Sequence, residues 1–138
     1  MIIDAKDKIV GRFATVAAKR AMEGEEVSVI NCEEAVVSGS KDEVFARFRQ
    51  RRERTVPLKG PYFPRQSDRI VKRMIRGMLP YKTPRGRDAL AKVKCYCGVP
   101  EELKDAKTET IQGADIGKLP SIRFVPIRKI SEFLGGVR

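Results

Sequence analysis

The chain contains no histidine. That absence removes Ser-His-Asp and Cys-His catalytic arrangements and most catalytic zinc sites. Cysteine is scarce and odd in number, at Cys32, Cys95 and Cys97. An odd set does not suit a disulfide framework and points to a reducing cytoplasm. Cys95-x-Cys97 has neither C-x-x-C spacing nor a fourth ligand, so these residues read as small, buried side chains, and no metal or other cofactor is expected. No apolar run approaches the roughly 20 residues that span a bilayer. Met1-Ile2-Ile3 meets Asp4 at once, which leaves no room for a signal-peptide core. Glycine fingerprints are missing too. Gly11 stands alone after the first apolar stretch, without G-x-G-x-x-G. Ser38-Gly39-Ser40-Lys41 ends like a Walker loop, but Glu34-Ala35-Val36-Val37 occupies the place of its leading glycine. An RNA-modifying or nucleotide-dependent enzyme on an α/β scaffold is the competing reading, and it finds no catalytic residue here.

What is present suits one domain over residues 1–138. Hydrophobic residues make up 41% of 138, enough for a core. A chain of this size buries roughly 68% of the surface its unfolded form exposes. Lysine and arginine number 29 against 18 acidic residues, for a net charge of +11. Such a charge strains a compact state unless a polyanion neutralises it. Nucleic acid is the first candidate and an anionic membrane surface the second.

Periodicity divides the chain into elements. Ile2, Ile3, Ile9 and Val10 predict a short strand interrupted by charge. Phe13, Val16, Ala17, Arg20 and Ala21 recur at helical spacing, closed by Gly24. Val27 to Cys32 reads as a buried strand, completing a βαβ unit with parallel pairing. Residues 41–54 predict a helix with Val44, Phe45 and Phe48 inward, and 55–66 a Pro/Gly loop. A third helix is predicted from Ser67, as N-cap, to about Leu79, ended by Pro80. Thr83 caps a fourth, with Pro84 at its first position. Val93, Cys95 and Cys97 alternate as a strand, and Pro100 to Asp105 suggests a helical turn. Residues 106–120 give no clear pattern. Ile122, Phe124 and Val125 predict a last strand, and Pro126 opens a helix with Ile127, Ile130, Phe133 and Leu134 inward and Gly135 as its cap.

The charge is concentrated. Residues 1–40 hold 5 basic and 7 acidic side chains, and residues 89–138 hold 9 and 6. Residues 41–88, a basic helix-loop-helix region, hold 15 and 5. Arg47, Arg51 and Arg54 share one face of the second helix, with Arg49 and Arg52 beside them. Arg69, Lys72, Arg73 and Arg76 follow i, i+3, i+4, i+7 spacing on the third. A single such helix is often just a solvated face. Two adjacent helices of one sign are different, because like charges four apart repel by about a few tenths of a kcal/mol per pair. Eleven of the 15 cations are arginine. Guanidinium forks match phosphate bidentately and stack on bases. A membrane-binding helix would need large apolar residues facing outward, and these residues are only enough for a core. Tyr62 and Phe63 lie beside Lys59 and Arg65 in the loop. They either stack on unpaired bases or close over the core edge.

Residues 76–87 then form a specific string: Arg76-Gly77-Met78-Leu79-Pro80-Tyr81-Lys82-Thr83-Pro84-Arg85-Gly86-Arg87. It resembles the signature of the universal large-subunit ribosomal protein number thirteen family, in its archaeal form. Ile3-Asp4-Ala5, Gly11-Arg12, Val29 to Glu33, Val37-Ser38-Gly39, Gly60-Pro61 with Arg65, and Tyr96 to Pro100 agree in the same order. Eukaryotic relatives often carry His where Tyr81 stands, and residues 106–120 match little. The resemblance implies a three-layer α/β/α fold with a four-stranded, mainly parallel sheet. It implies a structural, non-catalytic role in the cytoplasm, in the ribosome, early in large-subunit assembly. Large-subunit ribosomal RNA and neighbouring large-subunit ribosomal proteins are the implied partners, with no membrane and no small-molecule substrate. The expected RNA-binding residues are Arg47, Arg51, Arg52, Arg54, Lys59, Arg65, Arg69, Lys72, Arg73, Arg76, Gly77, Lys82, Thr83, Arg85, Gly86 and Arg87. Gly77 and Gly86 would admit a phosphate or turn tightly, and helix starts near Ser67 and Thr83 would add positive dipole ends.

Overall fold

The computed structural model describes residues 1–136. Strand β1 (Ile2–Asp4), helix α1 (Val10–Glu23) and strand β2 (Val27–Ile30) form the expected βαβ unit, with β1 parallel to β2. Gly24 closes α1 at φ 105°, a left-handed conformation that glycine adopts without steric cost. The buried face of α1 is Val10, Phe13, Ala14, Ala17, Ala18 and Ala21. Four alanines on that face keep it flat, and α1 packs directly on α3 (Ser67–Gly77) and α4 (Pro84–Ala91). Ile9 and Val10, predicted as strand, are the entry to α1: Ile9 is its N-cap and Val10 its first residue.

The predicted four-stranded sheet is not formed. Three parallel strands stand in the order β1-β2-β4, with β4 at Val93–Cys95. A separate antiparallel pair joins β3 (Val36–Ser38) to β5 (Phe124–Pro126). The cause lies just after β2. Asn31 turns left-handed at φ 54° and starts a 3₁₀ turn at Cys32–Glu34, which leads the chain out of the parallel sheet. Cys97 lies beyond β4, and Ile122 precedes β5 with 94% of its surface exposed.

Residues 106–120, unreadable as sequence, cover the open edge of β1. The Glu109 amide donates to the Ile2 carbonyl at 2.8 Å, and the Ile9 amide to that of Ala114 at 2.8 Å. Lys8 pairs with Asp115, and Ala114 is fully buried. A segment lying along the edge in this way hinders pairing with another chain.

Helix α2 (Lys41–Glu53) begins at Ser40, whose hydroxyl accepts from the Glu43 amide. Val44 and Phe48 are buried, and Phe45 stacks on Phe133 of α5 (Ile127–Leu134) at 4.5 Å between centroids. Burial of a Phe side chain is worth about 1.5–3 kcal/mol, so these rings seat α2 on the body. Ser67 is the first residue of α3 rather than its cap, which is Gln66. Ile70, Val71 and Ile75 turn inward from α3. Thr83 does cap α4, accepting from the Gly86 amide at 3.3 Å.

Candidate nucleic-acid interface

Three local features put the cations where they are. The apolar stripes of α2 and α3 face the core, so their intervening positions face out. Ser131 Oγ of α5 donates to the Arg65 carbonyl at 2.6 Å and fastens the end of the 55–66 loop in front of α3. Phe63 of that loop then meets Phe48 of α2 edge-on, at 5.8 Å and 66°.

Phe63 is the meeting point of the two helices. Arg51 of α2 lies 5.9 Å from its ring centre and Arg73 of α3 lies 5.8 Å from it. Arg51 also lies 5.5 Å from the ring of Phe48. Arg76 lies over Tyr81 at 4.5 Å, which ties the end of α3 to the turn before α4. Such contacts hold a guanidinium plane in place while leaving its N–H edges open for hydrogen bonds. Burial pushes the Arg73 guanidinium below its ordinary pKa, and the charges of Arg76 and Arg51 add to this against a smaller opposing effect of Tyr81.

Two shallow grooves flank this point. The first, of about 700 Å³, is lined by Arg47, Arg51, Arg54, Arg73 and Gly77, with Phe48, Phe63, Met74 and Met78. The second, of about 570 Å³, is lined by Arg65, Arg69, Lys72, Arg73 and Arg76, with Tyr62, Phe63, Pro64 and Leu90. Arg73 and Phe63 form the ridge they share. Nine expected site residues therefore converge on one surface. Gly11, Val37 and Ser38 also line the first groove, and sequence gave no sign of them because they come from a distant, acidic part of the chain.

The other expected residues lie elsewhere. Arg52 sits with Arg49, Glu53 and Phe133 at a separate hollow. Lys59 is exposed in the loop, and Lys82, Arg85 and Arg87 are exposed around the start of α4. The Thr83 hydroxyl is occupied within its own turn, donating to the Pro80 carbonyl at 2.8 Å and accepting from Gly86. Gly86 is buried, and a Cβ there would overlap the Pro80 carbonyl. Its need is therefore a tight turn rather than an approach to phosphate. Asp68 stands in the first turn of α3 and offsets the dipole there.

Among the described residues, every ion pair draws its cation from Lys6, Lys8, Arg20 or Arg128. None of the cations of residues 41–88 is paired with a carboxylate. Of Tyr62 and Phe63, Phe63 closes over the core edge, while Tyr62 stays 66% exposed. Among the described residues no group of three or more cysteine, aspartate or glutamate side chains could hold a metal ion, and no helix is long and apolar enough to cross a membrane.

Comparison with known proteins follows the same line. The family model described as Ribosomal protein L13 matches residues 1–102. The chain is 47% identical over 135 residues to a large ribosomal subunit protein uL13 of Methanosarcina barkeri, covering 97% of this chain and 96% of that one. It is 46% identical to its counterpart in Methanococcoides burtonii, covering 97% and 96%. It is 43% identical to that of Archaeoglobus fulgidus, covering 97% and 86%.

Proposed function

The chain belongs to the ribosomal protein L13 family, a family of structural, non-enzymatic components of the ribosome, and from that premise we propose that it is a constituent of the large subunit that binds ribosomal RNA through the arginine face of α2 and α3. It supports early assembly there, with neighbouring ribosomal proteins as further partners. The observation that carries this reading is that arginines from both helices gather around Phe63 with no carboxylate among the described residues to neutralise them.

A cluster of like charges costs the free protein stability. Ribosomal RNA removes that cost and supplies an acceptor for each guanidinium edge. Arg51, Arg73 and Arg76 form the centre of the contact. Arg47, Arg54, Arg65, Arg69 and Lys72 extend it along both grooves, and Lys59, Lys82, Arg85 and Arg87 widen the positive field.

The test is sedimentation with large subunits. The native protein is expected to migrate with them and to leave at high salt, because each phosphate contact releases counterions. Joint reversal of Arg51, Arg73 and Arg76 to Glu is expected to abolish association. Reversal of Lys104, Lys107 and Lys118, which lie outside both grooves, is expected to leave it largely intact. Wild-type migration of the arginine variant would overturn the proposal.

A further inference from the structure

The second groove differs from the first in holding an exposed aromatic ring, that of Tyr62. Tyr62, Phe63, Pro64 and Leu90 line it together with the cations of α3. Phe63 already has partners in Phe48, Arg51 and Arg73. Tyr62 has none of this kind: among the described residues its ring makes no aromatic or cation contact and its hydroxyl no hydrogen bond, and it is 66% exposed. Yet the ring is held in position. It lies across Gly60, close enough that a Cβ there would stand 3.3 Å from it. The loop beneath is closed by hydrogen bonds that the Val56 amide donates to the Gly60 carbonyl at 3.2 Å and the Thr55 hydroxyl donates to the Pro61 carbonyl at 2.7 Å.

We propose that this groove receives an unpaired nucleotide of the RNA, its base stacked on Tyr62 and its flanking phosphates held by Arg69 and Arg76. The proposal rests on the RNA-binding reading above and adds which part of the RNA enters. A positioned, partnerless ring is of little use against a duplex. Paired bases are already covered on both faces, and the A-form major groove is too narrow for side chains. A base extruded from a bulge or loop has a free face, and stacking on an aromatic ring does not depend on base identity. Arg69 and Arg76 stand two turns apart on one face of α3 and line the same groove as Tyr62. Both can therefore take phosphates on either side of a base held there.

The experiment uses the whole chain and two RNA hairpins of one stem sequence. One is fully paired, and the other carries a single bulged 2-aminopurine whose fluorescence falls on stacking. The bulged hairpin is expected to bind about tenfold or more tightly, with quenching. Tyr62→Ala is expected to erase both the preference and the quenching while leaving affinity for the paired stem unchanged, and Tyr62→Phe to keep both. Because Tyr62 is exposed, its replacement leaves the core intact. Equal binding of the two hairpins by the native chain, or preference and quenching that survive Tyr62→Ala, would overturn the proposal. If both hairpins bind equally and in a salt-sensitive way, only the nucleotide site falls. If neither binds at low salt, the underlying RNA reading falls with it.

Discussion

Arg73 shows at the scale of one side chain how crowded the cationic surface is. Burial and the charges of Arg76 and Arg51 all disfavour its cationic form. A guanidinium nevertheless stays charged at neutral pH, so the repulsion is retained rather than titrated away. Only an anion from outside relieves it. Cys32 is the contrasting case. Its thiol is pushed far above the ordinary value of 9.0 by the neighbouring Cys95 thiol first, and then by burial. The folded thiol therefore stays protonated while the unfolded one ionises near pH 9, so this group draws stability away as pH rises past that point. Cys32 is expected to escape iodoacetamide at pH 8 in the native chain and to react once urea unfolds it, read by mass spectrometry of the peptides. Rapid labelling of the native protein at Cys32 would contradict its burial. The sequence showed three small cysteines and no metal spacing, but not that Cys32 and Cys95 meet, because that contact depends on how β2 and β4 pair.

At the scale of elements, the turn between α3 and α4 sets where the cationic helix ends. Arg76 stacks on Tyr81, Thr83 closes the cap, and Gly86 lies against Pro80. An alanine at position 86 gains about 1 kcal/mol of helix propensity over glycine. The overlap of its methyl group with the Pro80 carbonyl costs about 1–3 kcal/mol or more, so the loss wins. Gly86→Ala is expected to lower the urea midpoint, and an unchanged or higher midpoint would show that the turn relaxes freely. The five α-helices among the described residues are legible from periodicity and from Gly24, Thr83, Pro84 and Gly135. The strands were harder. β3 is three residues long and was masked by the turn-like string after it, and Ile9 and Val10 have strand composition but open a helix. The four-stranded sheet failed for a reason invisible in sequence, since Asn31 turns left-handed and diverts the chain after β2.

For the whole molecule, the separation of charge is the organising fact. Acidic residues pair with Lys6, Lys8, Arg20 and Arg128. Residues 41–88 have no ion pair with a carboxylate among the described residues, and the loop fastened by Ser131 brings two of their helices to one ridge. That this third of the chain was cationic could be counted directly. That Arg51 and Arg73 meet at Phe63 could not, because they approach across the fold rather than along a helix. Nor could it be counted that Arg52, beside Arg51 in sequence, lines a different hollow. The most direct measurement is the affinity for large-subunit ribosomal RNA as a function of salt, for the native chain and for Arg51→Ala, Arg73→Ala and Arg76→Ala combined. If these guanidinium groups each meet a phosphate, the slope of log affinity against log salt becomes shallower by roughly 2–3 in the variant. A variant with the native slope and affinity would mean that the ridge at Phe63 never touches the RNA.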